Sequence, residues 1–303
     1  MKAPSLLLIV VAVALAACHR NSSTVTLYTS QDQDFAEPIL RQFTRETGIK
    51  VQTVFDSEAV KTVGLANRLL AETNHPQCDV WWSNEELRTR QLAARSVFRE
   101  TNGWAAFGFR SRRIVVNTNK LALAEAPASL IELTNARWRG KVALAYPMFG
   151  TTSAQFIALR SEWGEERWLV WCRALVANKP FLVDGNSVVV KLVARGEALV
   201  GLTDSDDITT GQREGLPIAA APLTPESLLI PNTVAVVHSG PHPQEAQALF
   251  TFLQSPVVAE MLVARGGIEG TNIAKRPHLR VDWSNAARDI ELASAALKEV
   301  FLR

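Results

Sequence analysis

One pattern recurs along this chain and fixes most of what it can become. A short β-branched or aromatic run is followed by a polar loop and then by a segment of helical periodicity. Val25-Thr26-Leu27-Tyr28 reads as a strand and Thr29 to Asp34 as a polar loop. Phe35, Ile39, Leu40 and Phe43 then form the apolar stripe of a helix that Gly48 ends. Asp34 with Glu37 has the spacing of a capping box at the helix start. The unit recurs as Val51 to Phe55, the loop Asp56-Ser57-Glu58 and a helix through Val63, Ala66, Leu69 and Leu70. It recurs again as Asp79-Val80-Trp81-Trp82, with Ser83-Asn84-Glu85-Glu86 opening a third helix. Strands alternating with helices predict a mostly parallel sheet covered on both faces. Ligands of such sheets sit at the carboxyl edge of the strands, where all three polar loops fall.

The second half repeats the theme. Lys141 to Tyr146 reads as a strand, Pro147 to Thr151 as a loop, and Thr152-Ser153 as the start of a helix toward Trp163. Phe181 to Val183 leads through Asp184-Gly185-Asn186-Ser187 to a helix containing Val190, Val193 and Ala194. Ala198 to Leu202 leads to the loop Thr203-Asp204-Ser205-Asp206-Asp207. The result is an α/β protein of two lobes. Two extended segments, Phe107 to Asn117 and Leu228 to Val237, join them as a two-strand hinge that permits closure around a ligand. The expected division places lobe one at 25–113 plus 233–275 and lobe two at 114–232. A helical C-terminal segment, 276–303, is left unassigned to a lobe.

Ahead of lobe one, Lys2 is followed by an apolar run, Leu6 to Ala17, and by Leu15-Ala16-Ala17-Cys18. The run falls short of the ~20 residues a spanning helix needs. It reads as a signal peptide, 1–17, ending at a lipobox with Cys18 as the lipidated residue and 18–24 as a polar tether. An uncleaved anchor and a signal without lipid are the alternatives. Export permits disulfides, yet Cys78 and Cys172 fall in different lobes and are expected as separate thiols. The 32 basic and 30 acidic residues nearly balance, with no basic stripe, so nucleic acid is not an expected partner. The short basic runs, Arg110, Arg112, Arg113 and Lys275, Arg276, read as solvated surface. The five histidines, His19, His75, His238, His242 and His278, have no metal-ligand spacing.

The sharpest candidate for binding is Gly150-Thr151-Thr152-Ser153, where hydroxyls sit beside helix N–H groups. It suits an oxyanion such as phosphate, carboxylate or carbonate, or it is a plain helix cap. Asp204, Asp206 and Asp207 offer a cation or ammonium site, or a solvated turn; the glycine and distal glutamate of a calcium loop are missing. Ser30, Gln31, Asp32, Asp56, Glu58, Asn84 and Glu85 are the counterparts on lobe one. One of the eight tryptophans is expected near the cleft mouth. The chain carries no GxSxG, P-loop, HExxH or GxGxxG, and no matched acid and base, so catalytic residues are not expected and an exported enzyme is the remote alternative.

The segments YTSQDQDFAEPILRQFTRETGIKV, DSEAVKTVGLANRLLAE, DVWWSNE, PMFGTTSAQ, DGNSVVVKLVARGEA and GLTDSDD resemble the iron(III)-type branch of bacterial extracellular solute-binding proteins. That resemblance implies a type II periplasmic-binding-protein fold with the ligand in the interlobe cleft. It implies an ABC permease and its ATPase as partners and a monomeric, periplasmic or cell-surface receptor. No cofactor is implied, since a metal ion or small anion would be cargo. Members of the branch commonly hold iron with adjacent tyrosines on lobe two. Here Tyr28 and Tyr146 are the only tyrosines and are far apart in sequence. Iron would then need carboxylates, Glu58, Asp204, Asp206 and Asp207, with an anion on the Thr151 to Ser153 helix end. Receptors for phosphonates or phosphorylated solutes belong to the same branch, and Lys61, Arg110 and Lys191 would serve that alternative if they face the cleft. Contacts are therefore expected from Ser30, Gln31, Asp56, Glu58, Asn84 and Glu85 on one side. Thr151, Thr152, Ser153, Asn186, Asp204, Asp206 and Asp207 are expected on the other.

Overall fold

A computed structural model describes residues 23–56, 62–101, 103–272 and 276–302. Cys18, Glu58 and Lys61, and most of the expected signal and tether, lie outside the described residues. Strand β1 is Thr24–Thr29, so Thr24 belongs to the sheet and not to a tether. It pairs in parallel with β2 (Lys50–Phe55) and β3 (Val80–Ser83). Helix α1 (Gln33–Thr47) buries Phe35, Ile39, Leu40 and Phe43, the stripe its periodicity predicts. The capping box does not form. Asp32 occupies the N-cap position but its side chain does not cap the helix, and Glu37 accepts from Arg41 one turn on. Helices α2 (Val63–Ala71) and α3 (Leu87–Ala94) complete this half.

The second half has β5 (Val142–Ala145), β6 (Phe181–Val183) and β7 (Val200–Asp204) in parallel register. Its helices are α4 (Gly150–Trp163), α5 (Glu165–Ala177), α6 (Asn186–Arg195) and α7 (Ser205–Arg213). Strands β5 and β7 are buried along their whole length, as expected of runs with covered faces. The predicted loop Thr203 to Asp207 does not exist. Thr203 and Asp204 end β7, and Ser205 starts α7 at once, so the aspartates lie on a strand-to-helix junction.

Between the halves run β4 (Trp104–Asn117) and β9 (Leu229–Val236), antiparallel to one another, with β8 (Ile218–Ala220) pairing on β4. The strand order β2-β1-β3-β9-β4-β7-β5-β6 is therefore continuous through both lobes. The ladder slips between Phe107 and Phe109, opposite Pro231. Gly108 sits at the slip with φ of 59°, and a Cβ there would lie 2.6 Å from Ile268 Cδ1. Both the backbone region and the close approach call for glycine.

A third crossing accompanies the two hinge strands. Helices α8 (Pro243–Leu253) and α9 (Pro256–Arg265) pack on the first half. The chain then passes along β4, where Glu269 N–H donates to Phe109 O at 2.7 Å and Phe109 N–H to Gly270 O at 2.9 Å. Helices α10 (Trp283–Arg288) and α11 (Ile290–Phe301) join the core of the second half, where Phe301 meets Phe156 edge-on at 5.6 Å, while α10 also packs against α3 of the first half and Gln91 donates to Glu291 at 3.3 Å. Cys78 and Cys172 are separate buried thiols, and burial pushes both thiols up.

Candidate functional site

The carboxyl ends of the parallel strands converge between the lobes. Beyond β1 lies Ser30, beyond β3 Asn84, beyond β5 Tyr146 and beyond β6 Asp184, while Asp204 is the last residue of β7. Asn84, Arg110, Tyr146, Thr151, Thr152, Asp184, Asn186, Asp204 and Asp207 share one cavity of about 30 Å³, room for about two waters or a small ion. A wider chamber of about 440 Å³ adjoins it, with Asp207 in both linings. Asp32 and Phe35 stand on one side of that chamber, and Lys191, Asp206 and Arg213 on the other.

Three helix starts face this cavity. Thr151 and Thr152 lie in the first turn of α4, Asn186 opens α6, and Asp204 caps α7. The first N–H groups of a helix have no intrahelical acceptor and carry partial positive charge, which suits an oxyanion. Gly150 enters α4 with φ of 52°, a turn that a β-branched residue would resist.

The charges around the helix ends overturn the reading of Arg110 and Arg112 as solvated surface. Both lie on hinge strand β4, only 4% and 1% exposed. Arg110 pairs with Asp206 through Nη1 and with Asp204 through Nη2 at 3.2 Å, and its Nη2 also donates to Asn84 O at 3.4 Å. Arg112 donates from Nη1 to Asp204 at 2.8 Å and Asn186 Oδ1 at 2.9 Å, and from Nε to Gln155 at 3.0 Å. Asp204 also accepts from Thr151 Oγ1 at 2.7 Å and Asn186 Nδ2 at 3.2 Å. Burial alone would raise the Asp204 carboxyl. Arg110, Arg112 and the Thr151 hydroxyl outweigh it and hold the group below the usual carboxylate range. For Arg110, burial works against the charge, but Asp206, Asp204, Asp32 and Asp207 hold the guanidinium above the usual arginine range.

One atom from each of Asp204, Asp206 and Asp207 lies within 4.8 Å of the others, the arrangement a metal would need. Two of the three carboxylates are already paired with buried arginines. A bare cation would have to displace those pairs.

The remaining expected contacts divide. Ser30 bonds Asn84, with Asn84 Nδ2 donating to Ser30 O at 3.0 Å, and so sits just behind the cavity wall. Asp56 turns to α2, where it accepts from Leu65 N–H at 3.1 Å. Glu85 turns to α3 and accepts from Arg88 N–H at 3.0 Å. Burial pushes its carboxyl up to about 7. Gln31 and Ser153 are buried and line neither chamber. Gln31 Oε1 and Ser153 Oγ have no hydrogen-bond partner among the described residues. Tyr28 is in the first lobe's core, bonded to Glu72, so Tyr146 alone brings a phenol to the cleft. Among the described residues no tryptophan lines either chamber. Trp81, Trp82 and Trp168 are core, and Trp163 packs edge-on against Trp171 at 5.4 Å.

Two α/β lobes, a shared hinge and a charged cleft at the strand ends define a two-lobed ligand-binding protein. Residues 25–267 match the family described as bacterial extracellular solute-binding protein, and this chain belongs to that family. It serves as the substrate-binding component of an ABC importer, with a periplasmic place of action. It is 27% identical over 270 residues to the major ferric iron-binding protein of Neisseria meningitidis serogroup A, covering 80% of each chain. Its fold matches iron-bound HitA from Pseudomonas aeruginosa with a TM-score of 0.80, at 20% identity over 92% of this chain and 99% of that one. It matches AfuA from Actinobacillus pleuropneumoniae, with fructose-6-phosphate bound, with a TM-score of 0.80, at 17% identity over 92% and 99%. These structural likenesses are likenesses of fold. The type II periplasmic-binding-protein architecture expected from sequence is the one found.

Proposed function

We propose that this receptor captures a small solute by its oxyanion, seated on the starts of α4 and α6 beside Thr151, Thr152 and Asn186. The observation that carries this reading is the pairing of Arg110 and Arg112 with Asp204 and Asp206. It removes two carboxylates from the pool a bare metal would need, and it does so where three helix starts converge. The small inner cavity suits the anionic head, and the adjoining chamber gives an organic remainder room. Phosphate, phosphonate and phosphorylated organic solutes are the class.

Ferric iron bound together with an anion is the second reading. The name of the Neisseria relative favours it, as do the further oxygens of Tyr146, Asp184 and Asp207 around the cavity. Native mass spectrometry with elemental analysis of freshly purified protein separates the two, followed by calorimetry with inorganic phosphate, 2-aminoethylphosphonate and ferric citrate. We expect an oxyanion to bind without iron. Tight iron binding that needs no oxyanion would overturn the first reading.

The rest of the reading is a receptor without chemistry of its own. The solute shifts the lobes toward a closed form that the permease recognises. Lobe one is taken as 25–113 with 233–275, and lobe two as 114–232. Segment 276–303 goes with lobe two, a choice supported by the packing of α11 on its core, while α10 bridges to α3 of lobe one. A monomer carried on a lipid at Cys18 completes the proposal.

A further inference from the structure

Among the described residues, Arg110 is the one guanidinium in the inner cavity's lining. It stands on hinge strand β4 and reaches the lobe-one backbone at Asn84 O and the lobe-two carboxylates of Asp204 and Asp206. It is 4% exposed, and its Nε has no hydrogen-bond partner among the described residues. Around it the oxygens of Asp204, Asp206 and Asp207 lie within 4.8 Å of one another. A side chain of one positive charge thus fills the place a cation would take among three carboxylates.

We infer that Arg110 sets the charge selectivity of the cleft: with it in place the site takes anions, and without it the three aspartates become a site for a hard trivalent cation. Arg112 does not share this role. It is not part of the cavity lining, and it spends Nη1 and Nε on Asp204, Asn186 and Gln155. Asp206 is ion-paired with Arg110, so neutralising Arg110 removes that pairing from its carboxylate. The inference rests on the oxyanion reading for what the natural site binds, but its cation arm can be measured by itself.

Terbium(III), read by its sensitised luminescence, is the probe for the cation, and inorganic phosphate for the anion. Arg110→Gln keeps hydrogen-bonding capacity and removes the charge. It is expected to bind terbium at least about tenfold more tightly than the natural protein, a modest effect for one unit charge at this range. Arg110→Lys should behave as the natural protein does. The double variant Arg110→Gln with Asp206→Asn should lose the gain. A folded Arg110→Gln with no gain overturns the inference, as does a gain that survives Asp206→Asn. Should Arg110→Gln fail to fold alone, terbium present during refolding is expected to restore a cooperative melt, and no restoration overturns it. Failure of phosphate to bind the natural protein would sink the oxyanion reading, while the terbium gain would still mark Arg110 as the selector.

Discussion

The two walls of the cleft are built from different chemistry. Where it meets the inner cavity, the lobe-one wall is neutral and mostly satisfies itself: Ser30, Ser83 and Asn84 bond one another across β1 and β3. The lobe-two wall is charged, with buried carboxylates, arginines from the hinge and three helix starts. The first wall resembles a lid and the second a socket. Ligand choice should therefore be far more sensitive to substitution on the second. The carboxyls on the two sides also shift in opposite senses, although burial alone would raise both. Asp204 has positive neighbours and falls, whereas for Glu85 burial dominates and the carboxyl rises.

The largest test of this contrast is Arg112→Met. It leaves Asp204 buried without its 2.8 Å partner and should cost about 3–5 kcal/mol in urea or thermal unfolding. A cost under about 1 kcal/mol would show the socket to be far looser than its geometry. Thr151→Val removes the hydroxyl that donates to Asp204 at 2.7 Å. It should lower stability by about 1–3 kcal/mol and phosphate affinity by about tenfold in calorimetry.

The walls also differ in pH response. The raised Glu85 carboxyl takes up protons that the unfolded chain has released. Stability should therefore fall as pH rises from the unfolded value near 4.5 toward about 7. Glu85→Gln removes that slope and should gain on the order of 1–2 kcal/mol at pH 8, with little change at pH 4. Asp204 acts in the opposite sense. Its contribution is present above its unfolded value near 3.8 and is lost as pH falls through the lower folded one. Unfolding curves from pH 3 to 8 should show both arms in the natural protein, and the neutral arm should flatten in Glu85→Gln. The smallest effect belongs to Ser30→Ala, about 0.5–1.5 kcal/mol of stability with phosphate affinity within about twofold. A large affinity loss there would make the lid a reader of the ligand.

Periodicity made the scaffold legible. The strands at Val25 and Val51 and the stripe Phe35, Ile39, Leu40, Phe43 needed only local spacing. Both hinge segments were visible because extended apolar runs stood outside the alternating units. The socket was half legible. Thr151, Thr152, Asn186, Asp204 and Asp207 lie together because each stands at or after the carboxyl end of a parallel strand. Arg112 escaped, and Arg110 was named only for the phosphorylated-solute alternative, because a charged pair at alternate positions of a strand normally marks a solvent face. Only long-range pairing, β4 against β7 and β9 with α4 overhead, buries that face. Asp56 and Glu85 erred in the other direction, since a polar loop that starts a helix must also serve the helix's own N–H groups. The place of the last two helices depends on a third crossing that no local pattern announces.

The path of the chain also assigns mechanical roles to the lobes. β1 enters the sheet of the first lobe at Thr24, while the final helix rides on the second. On the proposed lipid at Cys18, the tether would lead into the first lobe and leave the second free to swing. On that proposal the moving jaw would carry the charged socket and bring the cargo to the moored lobe.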